Sequence, residues 1–380
     1  MIFRYFFICL FVFLFNCKNK ENTPIAQLDG TPINLSYAKG FEITHFENHT
    51  LLTINSPWPK AEKTFKYALV NKDIASKITL NNADFDGVIT IPIQKMVVTS
   101  TTHIPSLELL KVGNTLVGFP ETDYISSELT RSRIDSGHVR DLGKNEGINT
   151  EVLLEIRPEL VIGFGMDNNN KTFDNIKKAG IPVIYNGDWV EHSPLAKAEW
   201  IKFFGVLYNK EKEADSIFKS IENSYLEAKS LALNAKNKPT VLSGAMHKDI
   251  WYLPNGTSTE AQILKDANVN YLWSETEGSG SLSLNFEVVL DKAKNAQFWI
   301  NPSFYTSYEA LEKANPHYTK FDAFKNKNMY TIANTKGSTG GVLYYELGIA
   351  RPDLVLKDII KICHPELLEN YTPYFFKSLE

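Results

Sequence analysis

The stretch Asn149-Thr-Glu-Val-Leu-Leu-Glu-Ile-Arg-Pro-Glu-Leu-Val-Ile162 decides the fold, because it joins a capped helix to an apolar strand. Asparagine at position 149 is a favoured helix N-cap, and a glutamate in the first turn suits the helix dipole. The first half of the stretch recurs as Asn285-Phe-Glu-Val-Val-Leu-Asp291, again ahead of an apolar strand. A repeat at this separation predicts two similar lobes, since solenoid repeats have periods of about 20 to 50 residues.

Around both copies, short apolar strands alternate with helix-length segments. The predicted strands are Met96–Thr99, Leu116–Phe119, Leu160–Phe164 and Pro182–Asn186 in the first series, and Val241–Met246, Phe298–Asn301 and Met329–Asn334 in the second. This alternation indicates βαβ units with a mainly parallel sheet. We therefore predict an α/β fold with two Rossmann-like lobes, at residues 95–193 and 238–380.

A long helix is predicted between the two lobes, over residues 194–237. This segment has no glycine after Gly205 and no proline from Leu195 to Lys238. Its apolar residues recur every three or four positions, which places them on one helical face: Ile217, Ile221, Tyr225 and Ala228.

The N-terminus has the layout of an export signal. Arg4 precedes an apolar run from Tyr5 to Phe15, which is too short to span a bilayer as a helix. Cys17 follows at once, as in a lipoprotein signal, so we predict a signal peptide over residues 1–16 and an acylated Cys17. A signal cut elsewhere, with an incidental cysteine, is the alternative.

Residues 17–94 are predicted to hold the lipid anchor, a linker and a small β-rich module. Its strand-like segments are Phe41–Thr44, Leu51–Ile54 and Phe65–Val70, separated by turn residues. No functional motif occurs in it.

The composition argues against nucleic acid as a partner and against disulfide bonds as a means of stabilisation. A net charge of -4 and a pI near 6.1 give no attraction to nucleic acid. Removal of the signal and acylation of Cys17 would leave only Cys363 as a free thiol, so no disulfide could form within the chain. The fold then depends on apolar burial, for which 43% hydrophobic residues are sufficient.

Catalytic signatures are missing from the sequence. Gly137–Lys144 lacks the spacing and the hydroxyl residue of a phosphate-binding loop. Gly278–Ser281 and Gly337–Gly341 are polar loops that do not fit a nucleophile elbow. The sequence therefore favours a binding scaffold over an enzyme.

The candidate ligand-binding residues follow the predicted strands, because ligands of open parallel sheets bind at the carboxyl ends of the strands. They are aromatic, hydroxylic or imidazole side chains: Thr101, Thr102, His103, Tyr124 and Trp189 in the first lobe, and His247, Trp251, Tyr305 and Thr339 in the second. Such a lining suits a bulky, partly apolar ligand. Ordinary packing under loops is the alternative for each residue taken singly.

Arg131, Arg133 and His138 are further candidates, with Arg140 nearby in a loop-rich segment. A guanidinium cluster could hold an anion through charge-assisted hydrogen bonds. If it faces the cleft, an anionic ferric chelate is favoured over neutral cobalamin. A solvated surface explains each arginine equally well.

Three histidines leave two other hypotheses open. His103, His138 and His247 together could bind a bare transition-metal ion. Alternatively, His103 and His247 could act as base and acid in a chelatase or a siderophore-processing enzyme. We prefer a single histidine or tyrosine that completes the coordination of a bound iron complex.

Residues 95–364 resemble the iron-complex and cobalamin periplasmic-binding family of importer receptors. The resemblance rests on Val97–His103, Asn149–Ile162, Arg351–Asp358 and His364-Pro-Glu366. It implies two α/β lobes joined by one long helix, and a lipoprotein tethered to a membrane in the periplasm or at the cell surface. Such a receptor is a monomer that is not an enzyme, carries no cofactor or metal of its own, and delivers a ferric siderophore, haem or corrinoid to an ABC permease and its ATPase.

The resemblance also implies how the receptor docks on its permease, through one acidic residue on each lobe. Glu309 occupies the matching place in the second lobe. The first lobe has Asn170 or Lys171 there, so Asp167 is only a nearby substitute. Helix capping explains both acids equally well.

Overall fold

The computed structural model describes residues 30–167, 170–278 and 280–380. The predicted signal peptide and Cys17 lie outside the described residues.

Residues 30–94 form a module around one five-stranded sheet. Its strands are β1 (Thr31–Pro32), β2 (Phe41–His45), β3 (Thr50–Ile54), β4 (Phe65–Asn71) and β5 (Gly87–Ile91). They lie in the order β1-β2-β3-β4-β5, antiparallel except for the β4–β5 pair. The three strands expected from the sequence are β2, β3 and β4, and β1 and β5 extend the sheet.

The module packs into the first lobe as part of one core. The Phe41 ring lies 4.5 Å from that of Trp200 and 6.2 Å from that of Phe203, centroid to centroid. Trp58 of the module packs edge-on against Tyr185 of the first lobe, at 5.2 Å. Module and first lobe therefore share one continuous set of buried side chains.

The first lobe has a parallel five-stranded sheet in the order β10-β9-β6-β7-β8. The strands are β6 (Met96–Val98), β7 (Leu116–Phe119), β8 (Arg140–Asp141), β9 (Leu160–Phe164) and β10 (Val183–Asn186). Its helices are α1 (Ile104–Leu109), α2 (Glu128–Asp135), α3 (Thr150–Ile156) and α4 (Lys171–Lys178). Asn149 caps α3 as predicted, because its side chain accepts from the N–H groups of Glu151 and Val152.

Three helices occupy the region between the lobes, where we predicted one helix over 194–237. They are α5 (Pro194–Glu199), α6 (Ile201–Leu207) and α7 (Glu211–Ala232). Asn209 has a φ of 55°, a left-handed conformation that ends α6. Gly205 lets α6 approach α7 closely, since a Cβ there would lie 2.6 Å from the Cβ of Ala214.

Helix α7 nevertheless runs from one core to the other. Its N-terminal buried residues Ala214, Phe218 and Ile221 belong to the core of the first lobe. Its C-terminal buried residues Tyr225, Ala228 and Ala232 belong to the core of the second lobe. The apolar face recognised in the sequence is thus shared between two lobes.

The second lobe repeats the plan of the first with additions. Its main sheet has the order β14-β11-β16-β17-β18, with the last pair antiparallel, and a three-stranded antiparallel sheet has the order β12-β13-β15. The strands are β11 (Thr240–Ser243), β12 (Ala245–His247), β13 (Ile250–Pro254), β14 (Asn270–Tyr271), β15 (Ser281–Leu284), β16 (Phe298–Ile300), β17 (Met329–Thr331) and β18 (Lys377–Ser378). The helices are α8 (Thr259–Asp266), α9 (Phe286–Ala293), α10 (Tyr308–Ala314), α11 (Asp322–Lys325), α12 (Leu343–Leu347) and α13 (Pro352–Cys363). Asn285 caps α9 by accepting from the N–H of Val288, as predicted for the second copy of the repeat.

Buried carboxylates fix a distant segment of the chain to a helix in each half of the molecule. Glu199 on α5 accepts from the N–H groups of residues 36, 37 and 38, at 2.9, 2.7 and 2.9 Å. Asp358 on α13 accepts from the N–H groups of residues 374, 375 and 376, at 2.8, 2.6 and 3.1 Å. Both side chains are fully buried.

Candidate ligand cleft

The two lobes face each other along the carboxyl ends of their parallel strands, where α12 packs against the turn Thr101–His103 and against α1. The Thr339 hydroxyl donates to the carbonyl oxygen of Asp123, at 2.7 Å. The lobes therefore touch at the edge where a ligand of an open parallel sheet is expected.

Two of the predicted first-lobe residues, Thr102 and Trp189, lie at this edge beside the end of β10. Thr102 donates through its hydroxyl to Asp188, at 3.1 Å. Burial raises the pKa of Asp188 to about 6, although the Lys197 charge and the Thr102 hydrogen bond oppose that rise. The indole of Trp189 stacks at a tilt against Phe164, 5.4 Å away, and its buried N–H has no hydrogen-bond partner among the described residues.

Other predicted residues at the edge are open to solvent. Tyr124 is 62% exposed beside the loop that contains Thr339, which is exposed as well. Thr101 and Tyr305 are half-buried. These side chains are placed where they could contact a ligand.

His103 and Trp251 are not at the surface of the cleft in this conformation. His103 is fully buried beside the ring of Phe204, and burial lowers its pKa to about 3. Trp251 is fully buried in the second core, where its indole stacks on Trp299 at 5.2 Å and donates to the carbonyl of Ser243. Position after a strand identified both residues. The Trp251 ring packs into the core, whereas both ring nitrogens of the buried His103 have no hydrogen-bond partner among the described residues.

The arginine cluster is used within the first lobe, which argues against its proposed role in anion binding. Arg131 donates to the carbonyl of Thr122 at 2.7 Å and pairs with Asp135 at 3.3 Å. Arg133 donates to the carbonyls of Asn114 and Leu116. His138, exposed near the end of α2, shares a hydrogen bond with Ser136. The guanidinium groups thus support the loops that flank α2.

The histidines give no support to a bare-metal site or to an acid–base pair. His247 lies on the exposed β12–β13 hairpin of the second lobe, whereas His103 is enclosed in the first. Over the described ranges, no group of three or more His, Cys, Asp or Glu side chains is arranged to hold a metal ion.

A cavity that the sequence did not indicate lies between α5, α8 and the turn from α12 to α13. Its volume is about 120 Å³, and its walls include Lys197, Glu260, Tyr344 and Tyr345. None of the predicted ligand residues lines it. The sequence signal that marks Tyr344 and Tyr345 is their position shortly after the glycine-rich loop Gly337–Gly341.

Lys197 lines this cavity, and its charge also acts on the buried Asp188 carboxyl. Burial raises the pKa of the Tyr345 hydroxyl, which keeps it a donor. Phe304, 70% exposed, adds an aromatic surface with its ring 6.4 Å from that of Tyr345. Cavities for ligands of drug size measure about 300–1,000 Å³, so this cavity is too small to enclose a bulky complex.

The predicted docking residues lie on the surface. Glu309 is exposed in the first turn of α10. Asp167 is exposed ahead of α4, and Asn170 is the N-cap of that helix, accepting from the N–H of Phe173 at 3.0 Å. The acid in the first turn of α4 is Asp174, a residue that the sequence alone did not single out.

Comparison with known families agrees with this architecture. The family model described as periplasmic binding protein matches residues 96–335. The chain belongs to the periplasmic binding protein family. The match begins where the resemblance was recognised in the sequence and leaves out the N-terminal module.

Relatives of this periplasmic binding protein occur in Methanocaldococcus jannaschii. An uncharacterized lipoprotein there is 26% identical over 382 residues, covering 95% of this chain and 89% of its own length. A second is 24% identical over 338 residues, covering 82% of each chain. Since the first match leaves only a twentieth of this chain uncovered, it includes most of the module at residues 30–94.

Solved structures share the two-lobed fold of this periplasmic binding protein. A possible iron-binding, periplasmic solute-binding protein from Staphylococcus epidermidis has a TM-score of 0.57 and 18% identity, covering 72% of this chain and 100% of that one. A periplasmic heme-binding protein from Pseudomonas aeruginosa has a TM-score of 0.55 and 15% identity, covering 76% of this chain and 98% of that one. These likenesses confirm the predicted α/β architecture.

Proposed function

We propose that the chain is the extracytoplasmic receptor of an ABC importer and that it binds a metal complex, either a ferric siderophore, haem or a corrinoid, between its lobes. The observation that carries the proposal is the path of α7, whose buried face is shared by two cores that meet at the carboxyl ends of their strands. A continuous helix permits small movements of the lobes and opposes large ones. The names of the Staphylococcus and Pseudomonas proteins support iron or haem as the ligand class.

The ligand class is tested with four probes: ferric enterobactin, ferrichrome, haemin and cyanocobalamin. We expect one of them to raise the melting temperature, because a ligand at 100 times its Kd adds about 2.7 kcal/mol to stability. The bound complex should be recovered chemically unchanged. If no probe raises the melting temperature, the ligand class is wrong.

Two further arms address the alternatives. Zinc and manganese salts test a bare-metal receptor, which requires binding of one ion per chain. Turnover of a bound chelate, lost in His103→Ala or His247→Ala while binding persists, would favour an enzyme.

We infer that Lys197 supplies the cationic group of the cleft, in place of the arginines. Lys197→Met should weaken binding of an anionic complex by about tenfold, the size of one charge-assisted hydrogen bond, and leave neutral cyanocobalamin unaffected. Lys265→Met, which removes an exposed lysine of α8, is the matched control. Equal effects of the two variants would exclude the inference.

Membrane tethering through Cys17 is the second part of the proposal. It is supported by the sequence of the N-terminus and by the lipoprotein names of the archaeal relatives. No helix in the described part of the chain is long and apolar enough to cross a membrane. Labelled palmitate should enter the wild-type chain and not Cys17→Ser, which should leave the membrane fraction.

Docking on a permease is proposed through Glu309 on the second lobe and Asp167 on the first. Glu309→Lys should reduce the ATPase stimulation of the importer while ligand affinity stays unchanged. Glu312→Lys, one turn further along α10, controls for surface charge alone. Asp174→Lys distinguishes the first-turn acid of α4 from Asp167.

A further inference from the structure

A carboxylate of the second lobe is bound by two backbone amides of the first. The Glu346 side chain on α12 accepts from the N–H of Ser126 at 2.6 Å and from the N–H of Ser127 at 2.9 Å. Only 3% of Glu346 is exposed. This contact is therefore a buried polar link between the lobes.

The amides that hold Glu346 stand at the start of a helix. Ser127 is the N-cap of α2, so its N–H and that of Ser126 lie at the positive end of the helix dipole. The surfaces around them touch: the Ser126 hydroxyl donates to the carbonyl of Gly341 at 2.9 Å, and a Cβ on Gly341 would lie 2.3 Å from the carbonyl oxygen of Tyr124. If the lobes separate, both amides and the carboxylate return to water.

The charges around Glu346 do not balance when the lobes are together. Glu108 on α1 is a second carboxylate at the same helix start, where it accepts from the hydroxyls of Ser127 and Thr130. His103, on the turn that packs against α12, is uncharged because burial lowers its pKa to about 3. Lys336, on the loop before α12, is exposed and makes no ion pair with Glu346.

Burial raises the pKa of Glu346 from 4.5 to about 7, the Glu108 charge adds to the rise, and the two amide hydrogen bonds oppose it. When the lobes separate, the Glu346 carboxyl is solvated and its pKa returns towards 4.5. The two states of the protein therefore differ in their affinity for one proton.

We propose that Glu346 is a latch between the lobes, and that it takes up a proton when they close. The direction of the pH effect on closure follows from the direction of the pKa shift of Glu346. A raised pKa in the closed form favours closure fully below pH 4.5, and this advantage is lost as the pH rises through about 7. The proposal goes beyond ligand delivery and does not depend on which complex is bound.

Hydrogen exchange of the Ser126 and Ser127 amides in the full-length, ligand-free chain tests the latch directly. After division by the intrinsic rate at each pH, we expect about tenfold greater protection at pH 6 than at pH 8, as linkage predicts for this shift. Glu346→Gln cannot titrate and should give the same protection at both pH values.

Control variants separate the latch from general effects. Glu312→Gln, at an exposed site on α10 of the same lobe, should keep the full pH dependence. Glu346→Ala should lose protection at both pH values; if it fails to fold, the comparison of wild type with Glu346→Gln decides the matter. Equal protection of the wild type at pH 6 and 8, or a tenfold change retained by Glu346→Gln, would overturn the proposal.

Because no ligand is added, failure of the latch leaves the ligand-binding proposal untouched. Conversely, a chain that binds none of the four metal complexes could still show the pH-dependent protection.

Discussion

Glu199 on α5 and Asp358 on α13 each hold three consecutive backbone N–H groups of a segment remote in sequence, one near the start of the described chain and one near its end. Glu199 also pairs with Lys202, whose ammonium lies 2.9 Å away and is itself nearly buried. Asp358 has a neutral partner, the hydroxyl of Tyr371 at 2.7 Å. Burial raises the pKa of Asp358, and the hydrogen bonds from Tyr371 and from the three amides oppose that rise.

The comparison shows that a buried carboxylate can hold three backbone N–H groups either beside a cation, as at Glu199, or beside a neutral hydroxyl, as at Asp358. The Glu199 site is also connected to the region between the lobes, because Lys202 lies 3.2 Å from Asp215 on α7. The Asp358 site lies within the second lobe. The module at residues 30–94 is therefore attached to the linking helices, and we expect it to move with the first lobe.

The largest expected effect is that of Glu199→Ala. Removing one partner of a buried ion pair costs about 3–5 kcal/mol, and three amides lose their acceptor as well. Urea denaturation followed by tryptophan fluorescence measures the free energy of unfolding. Glu227→Ala, at an exposed site on α7, should change it by less than about 0.5 kcal/mol.

Asp358→Ala should cost less, about 2–3 kcal/mol, because it leaves donors unpaired but breaks no buried ion pair. The same denaturation experiment compares the two variants. A loss as large as that of Glu199→Ala would show that Lys202 adds nothing to the difference between the two sites.

Tyr371→Phe should cost about 1 kcal/mol, the usual contribution of one hydrogen bond. It should also raise the pKa of Asp358 further, since the tyrosine hydroxyl donates to the charged form. Carbon-detected NMR titration of the Asp358 carboxyl reports the shift. An unchanged pKa would mean that only the three amides oppose the rise caused by burial.

The smallest effect is the pH dependence that Asp358 confers. Its raised pKa favours the folded state fully below pH 3.8, and this contribution declines as the pH rises through the folded value. The stability of the wild type relative to Asp358→Asn should therefore fall as the pH rises from 4 to 7. A gap that is constant over this range would contradict the assignment.

Most of the scaffold could be predicted from the sequence, because apolar strands and helix caps are local signals. The predicted segment Leu116–Phe119 is β7 and Leu160–Phe164 is β9, residue for residue. Val241–Met246 is instead broken at Gly244, which has a φ of 75° and would bring a Cβ within 1.8 Å of the Tyr252 carbonyl oxygen. That contact comes from the hairpin β12–β13, which an apolar run does not reveal.

The cleft was less predictable, since the direction of a side chain depends on contacts remote in sequence. Thr102 and Trp189 lie at the edge as expected, whereas Trp251 turns into the core and Arg133 binds backbone carbonyls. Glu346 escaped notice because its partners, Ser126 and Ser127, are more than 200 residues away. The ligand-binding roles of Thr102 and Trp189 stay predictions.

The length of helix α7 determines how far a small bend of this helix displaces one of its ends. With 22 residues and a rise of 1.5 Å per residue, it is about 33 Å long, so a bend of about 5° displaces one end by about 3 Å. That displacement equals the length of one hydrogen bond. A curvature common in long helices is therefore of the size that would separate the amides of Ser126 and Ser127 from Glu346.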